Sequence, residues 1–503
     1  MTTPARYLGV DIGTTGVRAA LYDADGFPRG YAYQEYPLLS PEPGAAELDP
    51  ETVFSSLVAV VARCMAEAED EAKGLRGIGL STQMFSFLAL DADGARLTNV
   101  VTWADTRPLP QALAYERAFD VAELYARTGC RTQHPMYPLA KILWLKETRP
   151  AVFARAAKFL SIKSYVLFRL FGRYVVDYTD ASASSLFNLA SFDWDPVVLG
   201  EVLGIGRERL CEPMPGTGTL SGMHPELAAA MGLRADVPVA VGAGDGIAAN
   251  LGCGVFDASA MSCTIGTSGA LRVAVGKPLL DPGMRTWCHC FTKDTWVAGG
   301  AINNGGLVLK WLRESFPEQF KGEAAARGLR GAYALFDEFA REIPAGSEGL
   351  LFLPLLTGER SPNWNAAARG VIAGLDLRHD RRHLVKAAME GVMYRMRSVY
   401  EVLAPLAGDV RQIRANGGYA GSDVWLQMQA DVFGTEIAVA GVEEAASFGA
   451  AVLAMHGTGD HTDLKMPLPA MAVGRTFEPD PANAAVYEAG FKEFLALYGR
   501  LYG

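Results

Sequence analysis

Asp11-Ile12-Gly13-Thr14-Thr15-Gly16 returns half a chain later as Thr264-Ile265-Gly266-Thr267-Ser268-Gly269. An apolar run precedes each copy and β-branched or aliphatic residues follow, which reads as strand, tight glycine turn, strand, once per half. A Gly-Thr turn offers uncovered backbone N–H groups and hydroxyls, a surface that suits phosphate oxygens. Two such turns imply two related domains gripping one polyphosphate. The first copy begins with Asp11 and the second with Thr264, so only the first can hold a cation at that spot. A third feature is Gly244-Asp245-Gly246, a carboxylate with no bulky neighbour. A buried carboxylate between glycines is costly unless it binds something; the alternative reading is a turn Asp that caps the helix starting at Gly246. Phosphoryl transfer needs a phosphate cradle, a divalent cation and a base to take a hydroxyl proton. The two turns, Asp11 and Asp245 can meet those needs. The cation would arrive as a Mg²⁺ chelate of the nucleotide that keeps most of its waters, so no metal cage is expected.

The commoner nucleotide signatures do not occur: there is no Gly-x-x-x-x-Gly-Lys-Ser/Thr, nor a Gly-x-Gly-x-x-Gly that opens a helix. At 503 residues and 50% hydrophobic, the chain exceeds one core, and two large domains are the natural division. Its 46 basic and 56 acidic residues give a net charge of −10 without long runs, which argues against a nucleic-acid partner. No stretch of 18 apolar residues suggests a membrane span, and residues 1–6 lead straight into a strand without signal-peptide character. The seven cysteines are scattered. Cys288-His289-Cys290 has no second ligand pair at zinc spacing and reads as reduced thiols in an alternating strand. These features point to a soluble, cytoplasmic protein without nucleic-acid or membrane partners.

The elements that must position these residues follow from pattern. Residues 7–37 read as a β-meander, with the turn Asp23-Ala24-Asp25-Gly26 between its second and third strands. Asp49-Pro50-Glu51 opens a helix with an Asp cap and Pro in the first turn. Leu75–Ser81 and Phe87–Leu90 read as strands, and helices are expected at Leu109–Ala118, Val121–Gly129, Pro138–Glu147 and Ile162–Phe171. Residues 236–245 form a buried strand that ends in the glycine-flanked carboxylate. The repeat restarts near 258, which places a boundary around 250–257 and gives domains 1–252 and 253–503. In the second half, His383–Leu403 and Ala445–His456 read as helices, and Leu350–Pro354, Ile413–Asn416 and Glu436–Val439 as strands. The class is α/β with mixed sheets.

Met136-Tyr137-Pro138-Leu139-Ala140-Lys141-Ile142-Leu143-Trp144-Leu145 is similar to the first signature of the FGGY carbohydrate kinases. Gly370-Val371-Ile372-Ala373-Gly374-Leu375, followed by His383-Leu384 and Ala387-Ala388-Met389-Glu390, resembles the second at its expected spacing. The likeness covers nearly the whole chain. It implies two ribonuclease-H-like domains of the actin/hexokinase/Hsp70 superfamily, with ATP and sugar meeting in a cleft. It also implies an ATP-dependent kinase whose small-molecule substrate is a sugar or sugar acid, in a family whose members are commonly homodimers. By this resemblance Asp245 matches the catalytic base and Asp11 the residue near magnesium. Thr14 and Thr15 match the first phosphate loop and Gly266 and Thr267 the second, while Gly306 falls where the family lines the phosphates. Gly417, Gly418 and Ser422 match positions near the nucleoside. Gln83-Met84-Phe85-Ser86 and the stretch from Trp103 through Asp105 to Arg107 match sugar-contacting segments.

Segments around Trp103, His134, Asn188 and Asn303 look most like the gluconate kinase branch, so the leading expectation is D-gluconate giving 6-phospho-D-gluconate. That branch and the xylulokinase branch both usually place His where Phe85 stands, which exchanges a hydroxyl partner for apolar surface. A gluconate carboxylate should meet a cation, and Arg107 is the nearest candidate, with a structural ion pair as its other reading. His134 reads equally as a hydroxyl ligand or as a packed loop histidine. The alternatives are a xylulokinase or other polyol kinase, and a non-catalytic nucleotide switch of the same superfamily. Asp245 and the two sugar-contacting segments argue against the switch.

Overall fold

The computed structural model describes residues 4–131 and 133–503. Packing divides the chain into two units. The first holds the chain up to Phe256, together with Ala274–Ala298 and Glu444–Ala472; the second holds Asp257–Val273, Gly299–Glu443 and Val473–Gly503.

The first unit is built on a six-stranded sheet. Its strands are β1 (Arg6–Ile12), β2 (Gly16–Asp23), β3 (Pro28–Glu35), β4 (Leu75–Thr82), β5 (Thr219–Leu220) and β6 (Val239–Gly244), in the order β5-β6-β4-β1-β2-β3. β1, β2 and β3 form the expected antiparallel meander. The turn into β3 is held by the Asp23 carboxylate, which accepts the Phe27 N–H at 2.9 Å, while Gly26 takes φ +90°. β4 and β6 join parallel to β1, so three strand ends emerge on one edge. Asp49 caps the helix Pro50–Glu67 through the Thr52 N–H, with Pro50 in the first turn as its pattern predicted.

The small-residue helix Ala445–Gly457 lies on this sheet although it comes from the far end of the chain. Its approach requires glycine in the strands beneath. A Cβ at Gly9 would come within 1.8 Å of the Ser447 carbonyl oxygen, and one at Gly79 within 1.8 Å of the Ala450 carbonyl oxygen.

In the second unit, β7 (Ala260–Ile265) pairs antiparallel with β8 (Gly269–Val275) and parallel with β9 (Gln412–Asn416). β9 continues parallel to β10 (Glu436–Ala440), and β11 (Val473–Phe477) closes the run antiparallel. The helix predicted over His383–Leu403 is longer, Arg381–Ala407, and a capping box of Asp380 and His383 sets its start.

Cys288-His289-Cys290 lies in the strand Trp287–Thr292 and is buried throughout, so the expected in-out alternation is absent. All seven cysteines are buried and none forms a disulfide. Among the described residues no helix is long and apolar enough to cross a membrane.

Candidate active site

In the first unit, the parallel strands β1, β4 and β6 end side by side, where open α/β sheets present ligand sites. β1 delivers Asp11 and the turn Gly13-Thr14-Thr15, β4 runs out into Gln83-Met84-Phe85, and β6 runs out into Asp245. Asp11 is buried, and Ser81, its register partner on β4, donates a hydroxyl hydrogen bond of 2.7 Å to it. The Arg18 guanidinium stands 3.7 Å away. Burial pushes the Asp11 carboxyl up to about 6, the Arg18 charge works against that rise, and the Asp245 carboxylate adds to it. Asp245 is half-buried in the first turn of the helix Asp245–Gly252, and its side chain accepts the Gly246 N–H at 2.6 Å.

Thr14 joins the turn to two predicted sugar segments. The Trp103 indole N–H donates to the Thr14 hydroxyl at 3.0 Å, and Thr14 donates to Gln83 at 3.1 Å. Gln83 in turn donates to the Gly13 carbonyl at 3.2 Å. Thr15 is exposed beside this knot. Met84 is buried and packs where a Cβ on Gly244 would stand. Phe85 takes the left-handed backbone, φ +64°, uncommon for a bulky residue. Its ring makes edge contacts with Tyr137 at 5.6 Å and with His289 at 6.0 Å between centroids.

Arg107 and Asp105 do not join the knot. The Arg107 side chain is 8% exposed and pairs with Asp105, Glu42 and Glu47, and its guanidinium lies 4.6 Å from the Trp144 ring. Those carboxylates raise its already high pKa. Asp105 is fully buried and also accepts the Ala46 N–H at 3.0 Å. His134 is half-buried and accepts the Met136 N–H at Nδ1, 3.2 Å, at the entry to the helix Pro138–Thr148.

In the second unit, the turn after β7 is organised by backbone. Gly266 N–H bonds to the Ser268 carbonyl at 2.9 Å, and Gly306 N–H to the Gly266 carbonyl at 2.7 Å. A Cβ at Gly306 would press on that carbonyl at 2.8 Å, whereas one at Gly266 would meet nothing within 4 Å. Gly266 and Thr267 are exposed. Thr264 donates to its register partner Asn416 at 2.6 Å and receives an Arg272 hydrogen bond at 3.1 Å. Gly417 follows Asn416 with φ +89°, a Cβ there would crowd the Ile265 carbonyl at 2.8 Å, and Gly418 is open. The Ser422 hydroxyl caps the helix Asp423–Phe433 by accepting the Trp425 N–H and donates to Asp337 at 2.7 Å.

These features fit a magnesium nucleotide. The Gly266 face is open, as a phosphate requires, and Asp11 is a buried carboxylate whose ionised form needs a further positive partner. Sequence reasoning missed the Trp103–Thr14–Gln83 knot and a buried ion pair, Lys163 with Asp177 at 2.6 Å. Thr179 bonds to Asp177 and accepts the Gly244 N–H at 2.7 Å, just before Asp245. The run Val176-Asp177-Tyr178-Thr179-Asp180 carried a signal for this, since an acid between apolar residues marks a buried partner.

A glycine turn repeated in two α/β units, with carboxylates on one parallel sheet edge, defines a two-part phosphoryl-transfer fold. The chain belongs to the FGGY family of carbohydrate kinases: the N-terminal domain model of that family matches residues 6–252 and the C-terminal one residues 261–458. Enzymes of this family are ATP-dependent phosphotransferases that act on small sugars. The chain is 37% identical over 453 residues to the gluconokinase of Bacillus subtilis (strain 168), covering 90% of this chain and 87% of that protein. It superimposes on a gluconate kinase from Lactobacillus acidophilus with a TM-score of 0.91 at 30% identity, covering 99% of this chain and 98% of that one. A ligand-bound xylulose kinase from the same organism gives a TM-score of 0.92 at 30% identity, with the same coverage.

Proposed function

We propose that this carbohydrate kinase phosphorylates D-gluconate to 6-phospho-D-gluconate, with Asp245 as general base. The observation that carries the site is the shared sheet edge: Asp11 with Thr14, Gln83 and Asp245 come from the ends of adjacent parallel strands, and Trp103 joins them by its hydrogen bond to Thr14. Residues 1–252 carry the sugar side with the first phosphate turn, and the parts of residues 253–503 that pack in the second unit carry the nucleoside side. Gln83, Met84, Phe85, Trp103 and His134 line the sugar, and the Asp105–Arg107 pair holds the segment that carries Trp103. Thr14, Thr15, Gly266, Thr267 and Gly306 hold phosphate oxygens, and Gly417, Gly418 and Ser422 lie by the nucleoside. Asp11 would hold the Mg²⁺ that accompanies the nucleotide. When bound, Mg·ATP supplies the γ-phosphoryl group and the positive charge that offsets its oxygens.

Asp245 accepts the proton of the sugar hydroxyl at a carboxylate oxygen as that hydroxyl attacks. Its hydrogen bond from the Gly246 N–H orients the carboxylate at the helix start. The backbone hydrogen bond from Gly244 to Thr179 fixes the strand end that carries it.

The gluconate choice is supported by the gluconokinase likeness. One observation favours an uncharged ketose such as D-xylulose: the Arg107 charge is already met by three carboxylates, and Phe85 is apolar. ADP release across D-gluconate, D-xylulose, glycerol and other aldonic acids separates the two. Gluconate is expected to lead in kcat/KM by at least about tenfold, and a tenfold lead for xylulose would overturn the substrate while leaving the kinase. Asp245→Asn should lower kcat by about 10²–10⁴ with nucleotide still bound. Turnover above a tenth of wild type would remove Asp245 from its role.

A further inference from the structure

Lys141 is fully buried on the helix Pro138–Thr148. Its amine donates to two main-chain carbonyls, that of Phe85 and that of Val101 at 3.3 Å. Asp105, the charge that favours its protonated form, has its own oxygens on Arg107 and the Ala46 N–H. Burial therefore pushes the amine down to about 7. An amine buried without a hydrogen-bonded carboxylate is a costly choice for a helix that could carry an apolar side chain there. What it reaches explains the choice.

The Phe85 carbonyl belongs to the residue held at φ +64°, a conformation that a bulky side chain opposes and neighbouring contacts must impose. Val101 lies opposite Phe87, with paired N–H···O bonds of 3.0 and 2.7 Å. The amine thus sits where Gln83–Ser86 meets the strand that leads into Trp103, Asp105 and Arg107. We infer that Lys141 is a positioning residue for the sugar: its amine ties the Phe85 and Val101 carbonyls and so sets the spacing between the two sugar-contacting segments. The inference rests on the reading, proposed above, that these segments hold the sugar.

Lys141→Met keeps the length and removes the donor. The expected result is a sugar KM raised tenfold or more with ATP KM within twofold. Glycine takes φ +64° without strain, so in a Phe85→Gly background Lys141→Met should shift sugar KM less than threefold. Hydrogen exchange at the Phe87 and Val101 amides reads the tie without any sugar, and should be at least tenfold faster in Lys141→Met. If the Met variant does not fold, Lys141→Gln, a shorter side chain that still donates, should give the same pattern at smaller amplitude. The inference is overturned by unchanged exchange, by a sugar KM within twofold of wild type, by sugar and ATP KM rising together, or by an undiminished effect in the glycine background. A wild-type protein that turns over none of the panel sugars, with exchange still faster in the variant, overturns the functional reading and the positioning role with it; the tie itself then stands.

Discussion

At the first turn Asp11 faces Ser81 across parallel strands and accepts its hydroxyl; at the second, Thr264 faces Asn416 in the same register and donates to it. Each position also has an arginine on the following antiparallel strand, Arg18 in one case and Arg272 in the other. The parallel pairing matches, although Arg18 lies opposite Asp11 whereas Arg272 lies opposite Ser262, and the chemistry of the paired position differs by one charge. A buried carboxylate at the first turn asks for a cation, while a neutral hydroxyl at the second leaves the open face of Gly266 to an anion alone. A duplicated frame can therefore divide labour through one side chain, provided that the register around it stays fixed.

The strongest test of that division is the pair Asp11→Asn and Thr264→Val. The first should lower kcat at saturating Mg·ATP by about 10²–10³, a loss typical of a removed charge-stabilising group, and the second by less than about tenfold. Equal losses in steady-state assays would make the turns equivalent and break the comparison.

A smaller effect is expected at the second turn itself. Gly266→Val places a branched side chain on an open face, so calorimetry should find nucleotide affinity weaker by about 10- to 100-fold, roughly 1.4–2.8 kcal/mol, with Tm preserved. Gly306→Val drives its Cβ onto the Gly266 carbonyl, so its Tm should fall. Unchanged ATP binding in Gly266→Val would make the second turn a structural echo of the first.

The charge difference should also appear without ligand. The Asp11 carboxyl lies at about 6 in the folded chain against 3.8 when unperturbed. Its folded value is raised, so its favourable contribution is present below about 3.8 and is lost as pH rises through about 6. In EDTA without nucleotide, Asp11→Asn should match wild type near pH 4 and exceed it by on the order of 3 kcal/mol at pH 7.5. Thr264→Val should show no such divergence. Chemical denaturation across this range would sharpen the comparison, and parallel curves for Asp11→Asn and wild type would contradict it.

The smallest effect concerns the hydroxyls. Thr14→Val removes the link between Trp103 and Gln83, two hydrogen bonds worth about 1 kcal/mol each at most, and should raise sugar KM by about 5- to 20-fold. Thr267→Val should leave sugar KM within twofold. Sugar titrations at fixed ATP distinguish them.

The sequence made the turns legible because their chemistry is local: Asp11 to Gly16 and Thr264 to Gly269 carry both the residue types and the strand context. A helix start was legible for the same reason, as Asp49-Pro50 supplies a cap and a first-turn proline within two residues. What failed to appear depends on distance. Thr14 meets Gln83 from 69 positions away and Trp103 from 89, and the Glu42 and Glu47 partners of Arg107 lie 65 and 60 positions before it. Lys141 reads as an ordinary member of an apolar helix because burial of its amine is decided by Phe85 and Val101. The two-sided burial of Cys288–Cys290 was missed for the same reason: alternation predicts one covered face, and packing decides whether the other is covered too.

The return of Glu444–Ala472 to the first unit has a consequence for synthesis and for engineering. As the chain leaves the ribosome, the bare glycine backbones of β1 and β4 wait for a helix made some 200 residues after the rest of their sheet. Until then the nascent first unit has a finished strand edge and an unroofed core. Two enzymes of this plan cannot be recombined by cutting at the middle of the gene. A chimaera joined there would set one parent's sheet under the other parent's roof, and the glycines at 9 and 79 would have to suit both.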